Sequence, residues 1–316
     1  MKKLLFILSL VLSFNTHAQT SGNCGPKDEN GAYTSSCVWN YDEKTHTLNI
    51  SGDGYMAEIF GGYLDENQGR YRTNAPWADY DEKIEYVDIG GNLKNISGCS
   101  VYGFTNLKDM SITAPIESFG QEVFGALQNF EIPSTVKYIY DMGLAYTDTA
   151  SLIIPDSVEY IGEWAFEYAQ ASKIILGSNI ESIGSNAFYG TTENLEIYCE
   201  DTSQNRCRDL ISQNNSDYVG KLKYFTKDET TGVYNVDETY YADANLLAKG
   251  ISCQSKSQCD EIALKSKNGL DFEFNGKFYT SLKDLKNANY IRKRIYTIDE
   301  ANAVAGDKNR VSIKYR

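Results

Sequence analysis

Seven cysteines, two histidines and 43 acidic side chains are the residues of this 316-residue chain with chemistry to offer. Six of the cysteines lie close together in sequence: Cys24 with Cys37, Cys199 with Cys207, and Cys253 with Cys259. In an oxidising compartment each pair would close a small disulfide loop, an expectation that rests on proximity alone. Zinc would want C-x-x-C spacing or histidine partners, so no metal site is expected. Cys99 is left over and reads as a small buried thiol. His46, in the polar turn Glu43-Lys44-Thr45-His46, is the only histidine beyond residue 18. No Ser-His-Asp or Cys-His arrangement can therefore be assembled. Gly61-Gly62 and Gly90-Gly91 are turn glycines rather than phosphate cradles. Asp79-Tyr80-Asp81-Glu82 and Asp228-Glu229 lack the alternating ligands of a calcium loop. A glycosidase needs only two carboxylates, but abundance is not convergence. The chain reads as non-catalytic, with no cofactor; a carbohydrate-active enzyme is the disfavoured alternative.

The first eighteen residues read as a leader. Lys2 and Lys3 give a basic start, Leu4 to Leu12 is apolar except for Ser9, and Thr16-His17-Ala18 offers small residues to a signal peptidase. This predicts cleavage near Ala18 and a secreted, cell-surface or periplasmic destination. The apolar run is too short to span a bilayer and no later stretch is longer, so no membrane span is expected. Net charge is −13 and uneven: 14 Lys+Arg against 9 Asp+Glu from residue 240 onward, 16 against 34 before it. The acidic body excludes nucleic acid as a partner, and the basic C-terminal part reads as a solvated face. With 41% hydrophobic residues there is matter for a sizeable core.

The elements that would position any site repeat along the chain. Apolar-x-apolar triplets occur at Val87–Ile89, Met110–Ile112, Phe130–Ile132, Leu152–Ile154, Ile174–Leu176 and Leu195–Ile197, with spacings of 23, 20, 22, 22 and 21. Four residues after the first five triplets come Leu93, Ile116, Val136, Val158 and Ile180. Seven after come Ile96, Phe119, Ile139, Ile161 and Ile183. Twelve after, from the second copy on, come Phe124, Leu144, Phe166 and Phe188; in the first copy the aromatic is delayed to Phe104. Each triplet is a short strand with two side chains facing in, and the later positions line the other walls of a coil. One such copy cannot bury enough surface to offset the entropy of ordering it, so copies must stack into a parallel ladder.

Ile154-Pro155-Asp156-Ser157-Val158 through Ile161-Gly162 to Ala165-Phe166 resembles the BspA-like leucine-rich repeat. So do Ile180 to Gly184 and Ala187-Phe188. Trp39-Asn40-Tyr41-Asp42, Thr47 to Gly52 and Gly54-Tyr55-Met56 resemble the entry cap of such proteins, and Ala75-Pro76-Trp77 the lead-in to their first coil. The copy at 130–151 departs, with Tyr140 for the usual Gly and Leu144 for Phe. The resemblance implies a cell-surface or secreted adhesin-type role, with host matrix or another microbe's surface as partner. The rival is a structural role, in which the C-terminal part docks on the envelope and the repeats act as spacer.

The expected fold is thus a β-rich leucine-rich-repeat solenoid with a signal peptide at 1–18, an N-terminal β cap and loop at 19–82, the repeats at 83–199 and a small α+β domain at 200–316. Within the cap, residues 39–56 read as a two-stranded ribbon and 58–75 as a loop. In the C-terminal part, Asn275-Gly276 marks a hairpin, echoed by Tyr234–Val236 and Tyr240–Ala242. Short helices follow at 244–248 and 282–287, another is expected at 256–267, Thr297 and Glu300 form a capping box, and 310–315 is a last strand. The middle residue of each triplet must face out: Asp88, Ser111, Glu131, Ile153, Ile175, Glu196. Tyr138 and Tyr160 occupy matching positions one residue before the plus-seven Ile. The candidate ligand-binding residues are accordingly Tyr138, Tyr160, Ile153, Ile175 and Glu131, for a protein or glycan surface ligand. The alternative is that these side chains pack under a neighbouring segment.

Overall fold

The structure is a computed structural model that describes residues 20–58, 60–124, 131–200, 204–250 and 252–260, and the backbone of three strands between 270 and 315. The leader, Phe130, most of the 256–267 helix, the Asn275-Gly276 turn, the 282–287 helix and the Thr297/Glu300 capping box lie outside the described residues.

The chain opens with β1 (Ser21–Asn23), β2 (Val38–Asp42) and β3 (Thr47–Ser51), paired antiparallel in that order. β2 and β3 are the expected ribbon, with Trp39, Tyr41, Leu48 and Ile50 turned inward. A Cys24–Cys37 disulfide ties the start of the chain to β2. After β4 (Asp53–Gly54), the stretch expected to be a loop holds a hairpin instead, β5 (Gly62–Asp65) with β6 (Arg70–Thr73). Two interactions stabilise it. The Asp65 carboxylate accepts the N–H groups of Asn67 and Gln68 across the turn. Arg70 and Arg72 clamp the buried Asp81 carboxylate, with shortest contacts of 3.0 and 2.7 Å. Charge-assisted bonds of this kind hold an exposed hairpin that composition alone would leave open.

The repeats contribute β7 (Tyr86–Ile89), β8 (Asn92–Leu93), β9 (Asn95–Ile96), β10 (Asp109–Ile112), β11 (Ser118–Phe119), β12 (Tyr138–Ile139), β13 (Ser151–Ile153), β14 (Tyr160–Ile161), β15 (Lys173–Ile175), β16 (Ser182–Ile183) and β17 (Glu196–Glu200). The plus-seven positions form one unbroken parallel sheet, β9-β11-β12-β14-β16, which sets Ile96, Phe119, Ile139, Ile161 and Ile183 side by side. All five are buried, as are the plus-four residues and the plus-twelve aromatics, where Phe166 stacks on Phe188 at 5.5 Å.

The leading strands behave differently. β7 lies parallel between β3 and β10, and β13, β15 and β17 form a second parallel group. Glu131 and Ile132 are not in a strand, so the ladder is interrupted at the third copy. In sequence, five residues separate Phe124 from Phe130, against seven between Leu144 and Leu152 and seven between Phe166 and Ile174. The last copy is also displaced: Ile174 stands opposite Ile197, not Leu195, a shift of two that keeps the same residues inward.

The sheet continues past residue 200. α1 (Gln204–Asn214) packs against β16 and β17, and β18 (Leu222–Lys227) adds to β17 in parallel. β19 (Tyr234–Val236) and β20 (Thr239–Tyr241) follow as the expected hairpin, with Asp237 and Glu238 both at positive φ in a two-residue turn. α2 (Ala244–Lys249) starts at Asp243, whose carboxylate accepts the Leu246 N–H at 2.8 Å, and ends at Gly250 with φ 68°. Disulfides join Cys199 to Cys207 and Cys253 to Cys259. Further on, β21 (Leu270–Phe274) pairs antiparallel with β22 (Lys277–Tyr279) and β23 (Ser312–Tyr315). Among the described residues no helix is long and apolar enough to cross a membrane.

Candidate functional site

The structure separates the five residues singled out from sequence into two places. Ile153 and Ile175 are neighbours across β13 and β15, as expected, but they are not free. Ile175 is 3% exposed and packs with Tyr198, Phe225, Leu247 and Ala248; Ile153, Tyr234 and Tyr241 pack against the same cluster. This corrects the expected exposure of that pair. α2 and the β18–β20 sheet lie over them, because two branched apolar side chains in register are worth covering. Glu131 is exposed, outside either sheet.

Tyr138 and Tyr160 stand opposite each other on β12 and β14. Tyr140 joins them: its ring lies 6.2 Å from that of Tyr138, nearly parallel, and 6.2 Å from that of Tyr160. It takes the place that Gly162 and Gly184 hold in the next two copies, where any side chain would strike the preceding copy's backbone. The irregular third copy therefore adds a ring to the surface.

A second aromatic strip was not singled out from sequence. The turn after each plus-seven strand places residues at plus ten in the left-handed region: Cys99, Glu122, Met142, Trp164 and Asn186, with φ from 51 to 57°. At plus fourteen Gly103, Tyr146, Tyr168 and Gly190 do the same, with φ from 52 to 77°. Non-glycine residues adopt this conformation only when surroundings impose it. Here it throws a line of rings outward. Tyr146 stacks on Tyr168 at 5.4 Å, Tyr168 meets Tyr189 at 5.8 Å, and Trp164 meets Tyr189 at 5.1 Å. Tyr71 of β6 meets Tyr102 at 5.7 Å. Tyr146 and Tyr168 are 22 residues apart at the same repeat position, which was the available signal.

Carboxylates line this strip. Glu167 is 8% exposed, and one of its oxygens is buried without a partner among the described residues. Burial pushes its pKa up, partly offset by a hydrogen bond from the Tyr146 hydroxyl. Burial, with Glu122 nearby, pushes the Tyr102 phenol up to about 12. The Cys99 thiol is likewise pushed up to about 12 by burial and by Glu122, which its Sγ approaches at 3.7 Å. It stays a thiol at neutral pH and is a poor nucleophile. His46 is exposed, with Nδ1 3.0 Å from the Tyr41 hydroxyl. Asp81 is engaged by its two arginines. Among the described residues no group of three His, Cys, Asp or Glu could hold a metal ion.

Parallel ladders built on a 20–23-residue period, with apolar residues at constant offsets, define a repeat-type β-rich fold of the leucine-rich kind. Residues 77–144 and 94–216 match the BspA type leucine rich repeat region, in six copies. Over this stretch, less than half of the chain, the sequence is similar to BspA-type leucine-rich repeats. Among solved structures it is similar to a leucine-rich repeat protein from Eubacterium ventriosum ATCC 27560, at 18% identity and a TM-score of 0.43; the match covers 64% of this chain and 46% of that one. The chain thus spans less than half of that protein's length. No curated protein matches.

Proposed function

We infer that this protein is an exported, non-catalytic binding protein that presents its tyrosine faces to a protein on a host matrix or microbial surface, in the manner of an adhesin. The repeats would act as one solenoid between an N-terminal β cap and the C-terminal segment. One observation carries the reading. Tyrosines recur in register on two open faces, whereas the isoleucine face is covered by the chain itself. Tyrosine gives a large, stiff contact area with a polar edge at low entropic cost, which suits a surface meant to be met by a partner. Three disulfides and the leader-like start support export.

The test is a pull-down from host matrix and biofilm material with the chain beginning at Gln19. It is repeated with Tyr138→Ala/Tyr140→Ala/Tyr160→Ala and with Tyr146→Ala/Tyr168→Ala/Tyr189→Ala. Loss of about tenfold or more in capture by either triple variant is expected, since clustered aromatic anchors dominate interfaces. Undiminished capture by both, or release of product from a polysaccharide panel, overturns the reading.

A further inference from the structure

The turn strip of tyrosines ends at a cavity. Tyr146 and Tyr168 hold the plus-fourteen position in the third and fourth copies, and their rings stack. The fifth copy has Gly190 there, again at positive φ. A Cβ at Gly190 would lie 2.5 Å from the Tyr168 ring, so the glycine lets that ring lie against the backbone and adds no further ring to the series. At this end of the strip lies a cavity of about 510 Å³, within the roughly 300–1,000 Å³ of small-ligand sites.

Rings and short polar side chains build its wall. Tyr168 and Tyr189 cross at 80°, a corner rather than a stack, and Tyr218 adds a third ring, which packs on the buried Phe188 at 5.5 Å. Backbone bonds fix the corner: the Tyr168 N–H donates to the Tyr189 carbonyl at 2.9 Å, and the Tyr189 N–H to the Asn186 carbonyl at 3.0 Å. Both rings stay reachable, at 41 and 46% exposure. The end of α1 supplies amides. Asn214 and Asn215 donate through Nδ2 to the carbonyls of Ile183 and Gly184 at 3.2 and 2.9 Å. The Oδ1 of Asn215, on the other side of its amide, is buried with no partner among the described residues. Asn186 and Asp217 also line the cavity, and both are exposed. Among the described residues no Lys, Arg or His and no aliphatic side chain lines it. An anion would find no counter-charge there, and a lipid no apolar wall.

We propose that this cavity binds a neutral hexose unit of a glycan. A pyranose ring presents a face of polarised C–H groups and a rim of hydroxyls, each a donor and an acceptor at once. The tyrosine rings take the first, through the negative face of their π-systems. The amides of Asn186 and Asn214 and the carboxylate of Asp217 take the second, since they offer donors and acceptors side by side. One exposed carboxylate among three amides suits a polyol better than a cation. A buried oxygen without a partner, as at Asn215, costs free energy until a donor reaches it, and a sugar hydroxyl is such a donor. The inference rests on the proposed binding role and deepens it: the surface partner is held by its glycan.

Saturation-transfer NMR with the chain beginning at Gln19 tests it, using maltotriose, cellotriose, mannotriose and chitotriose as neutral probes and sialyllactose as the anionic one. At least one neutral trisaccharide should bind saturably at millimolar concentration, and sialyllactose more weakly than it. Asn186→Gly removes the amide and keeps the positive φ without strain, and Tyr189→Ala removes one wall of the corner. Each should weaken binding about tenfold or more while its melting curve shows the fold retained; should Tyr189→Ala unfold, Asn186→Gly decides alone. The Tyr138→Ala/Tyr140→Ala/Tyr160→Ala variant, altered on the other face, should bind the sugar as wild type does. No binding by any neutral probe, undiminished binding by Asn186→Gly, or a preference for sialyllactose overturns the proposal. If no sugar binds while tyrosine-dependent capture of the surface partner persists, the glycan site falls and the binding role stands. If a sugar binds as expected while both triple variants capture undiminished, the role falls and the site stands.

Discussion

Two outward faces of the same repeats meet opposite fates. On the leading strands Ile153 and Ile175 point away from the coil and are met by Phe225, Tyr234 and Leu247. On the plus-six and turn positions Tyr138, Tyr140, Tyr146, Tyr168 and Tyr189 also point away, and they stay between 37 and 46% exposed. Alternation decides which side chains leave the interior of a coil; it does not decide what waits outside. Residue type does part of that. An isoleucine pair loses by facing water, while a phenol can keep its hydroxyl wet and its ring in contact. The covered face is where the chain holds itself together, and the open ones are where it has contact area to offer.

The sharpest way to break that comparison is on the covered side. Ile175→Ala should cost about 2–5 kcal/mol, the usual loss for truncating a fully packed Ile. Urea unfolding with the disulfides intact measures it. Because Leu247 of α2 packs in the same cluster, Leu247→Ala should cost about as much, and the double variant less than the sum, since the two share one contact. A cost below about 0.5 kcal/mol at Ile175 would put it among ordinary surface positions and remove the distinction between the faces.

The sequence carried the coil further than it carried the surface. Constant offsets of four, seven and twelve place Leu93 through Ile183 and the Phe124–Phe188 series inside because periodicity is a statement about burial, and burial is what the copies share. The strand lost at Glu131-Ile132 was visible only as the shortest spacing, 20. The hairpin β5–β6 was hidden because its support is ionic: Arg70 and Arg72 of β6 close on Asp81, which lies beyond the strand pair. The cover over Ile175 comes from residues 225 to 248, long-range contacts that no local pattern encodes. The turn strip was hidden for another reason. Glu122, Met142 and Trp164 are poor formers of the left-handed conformation, so propensity argued against the geometry that the stack imposes.

A middling effect is expected between the faces, at Glu167, which sits under the open strip yet is buried. Its carboxyl is raised by burial, so the folded protein holds the proton more tightly than the unfolded chain does. Stability from this group is then fullest below the unfolded-state pKa and is lost as pH rises through the folded-state value. Glu167→Gln should remove that part of the pH dependence and raise the melting temperature at neutral pH relative to wild type. Melting curves from acid to neutral pH decide it: parallel profiles for the two proteins would mean that water reaches the carboxylate and that the strip is more open than its rings suggest.

The smallest effect should come from the open face itself. Tyr140→Ala is expected to change stability by no more than about 0.5 kcal/mol, since the ring is half exposed and stacks only on other surface rings. The position also favours tolerance. The fourth and fifth copies carry Gly162 and Gly184 there, so no coil wall depends on a side chain at that point. What should change is capture of the partner, and the two readouts must move apart for the face to be functional. If Tyr140→Ala unfolds as easily as Ile175→Ala, the ring is a structural strut that spans an irregular copy. The tyrosines would then be doing for the third repeat what Leu247 does for the fifth.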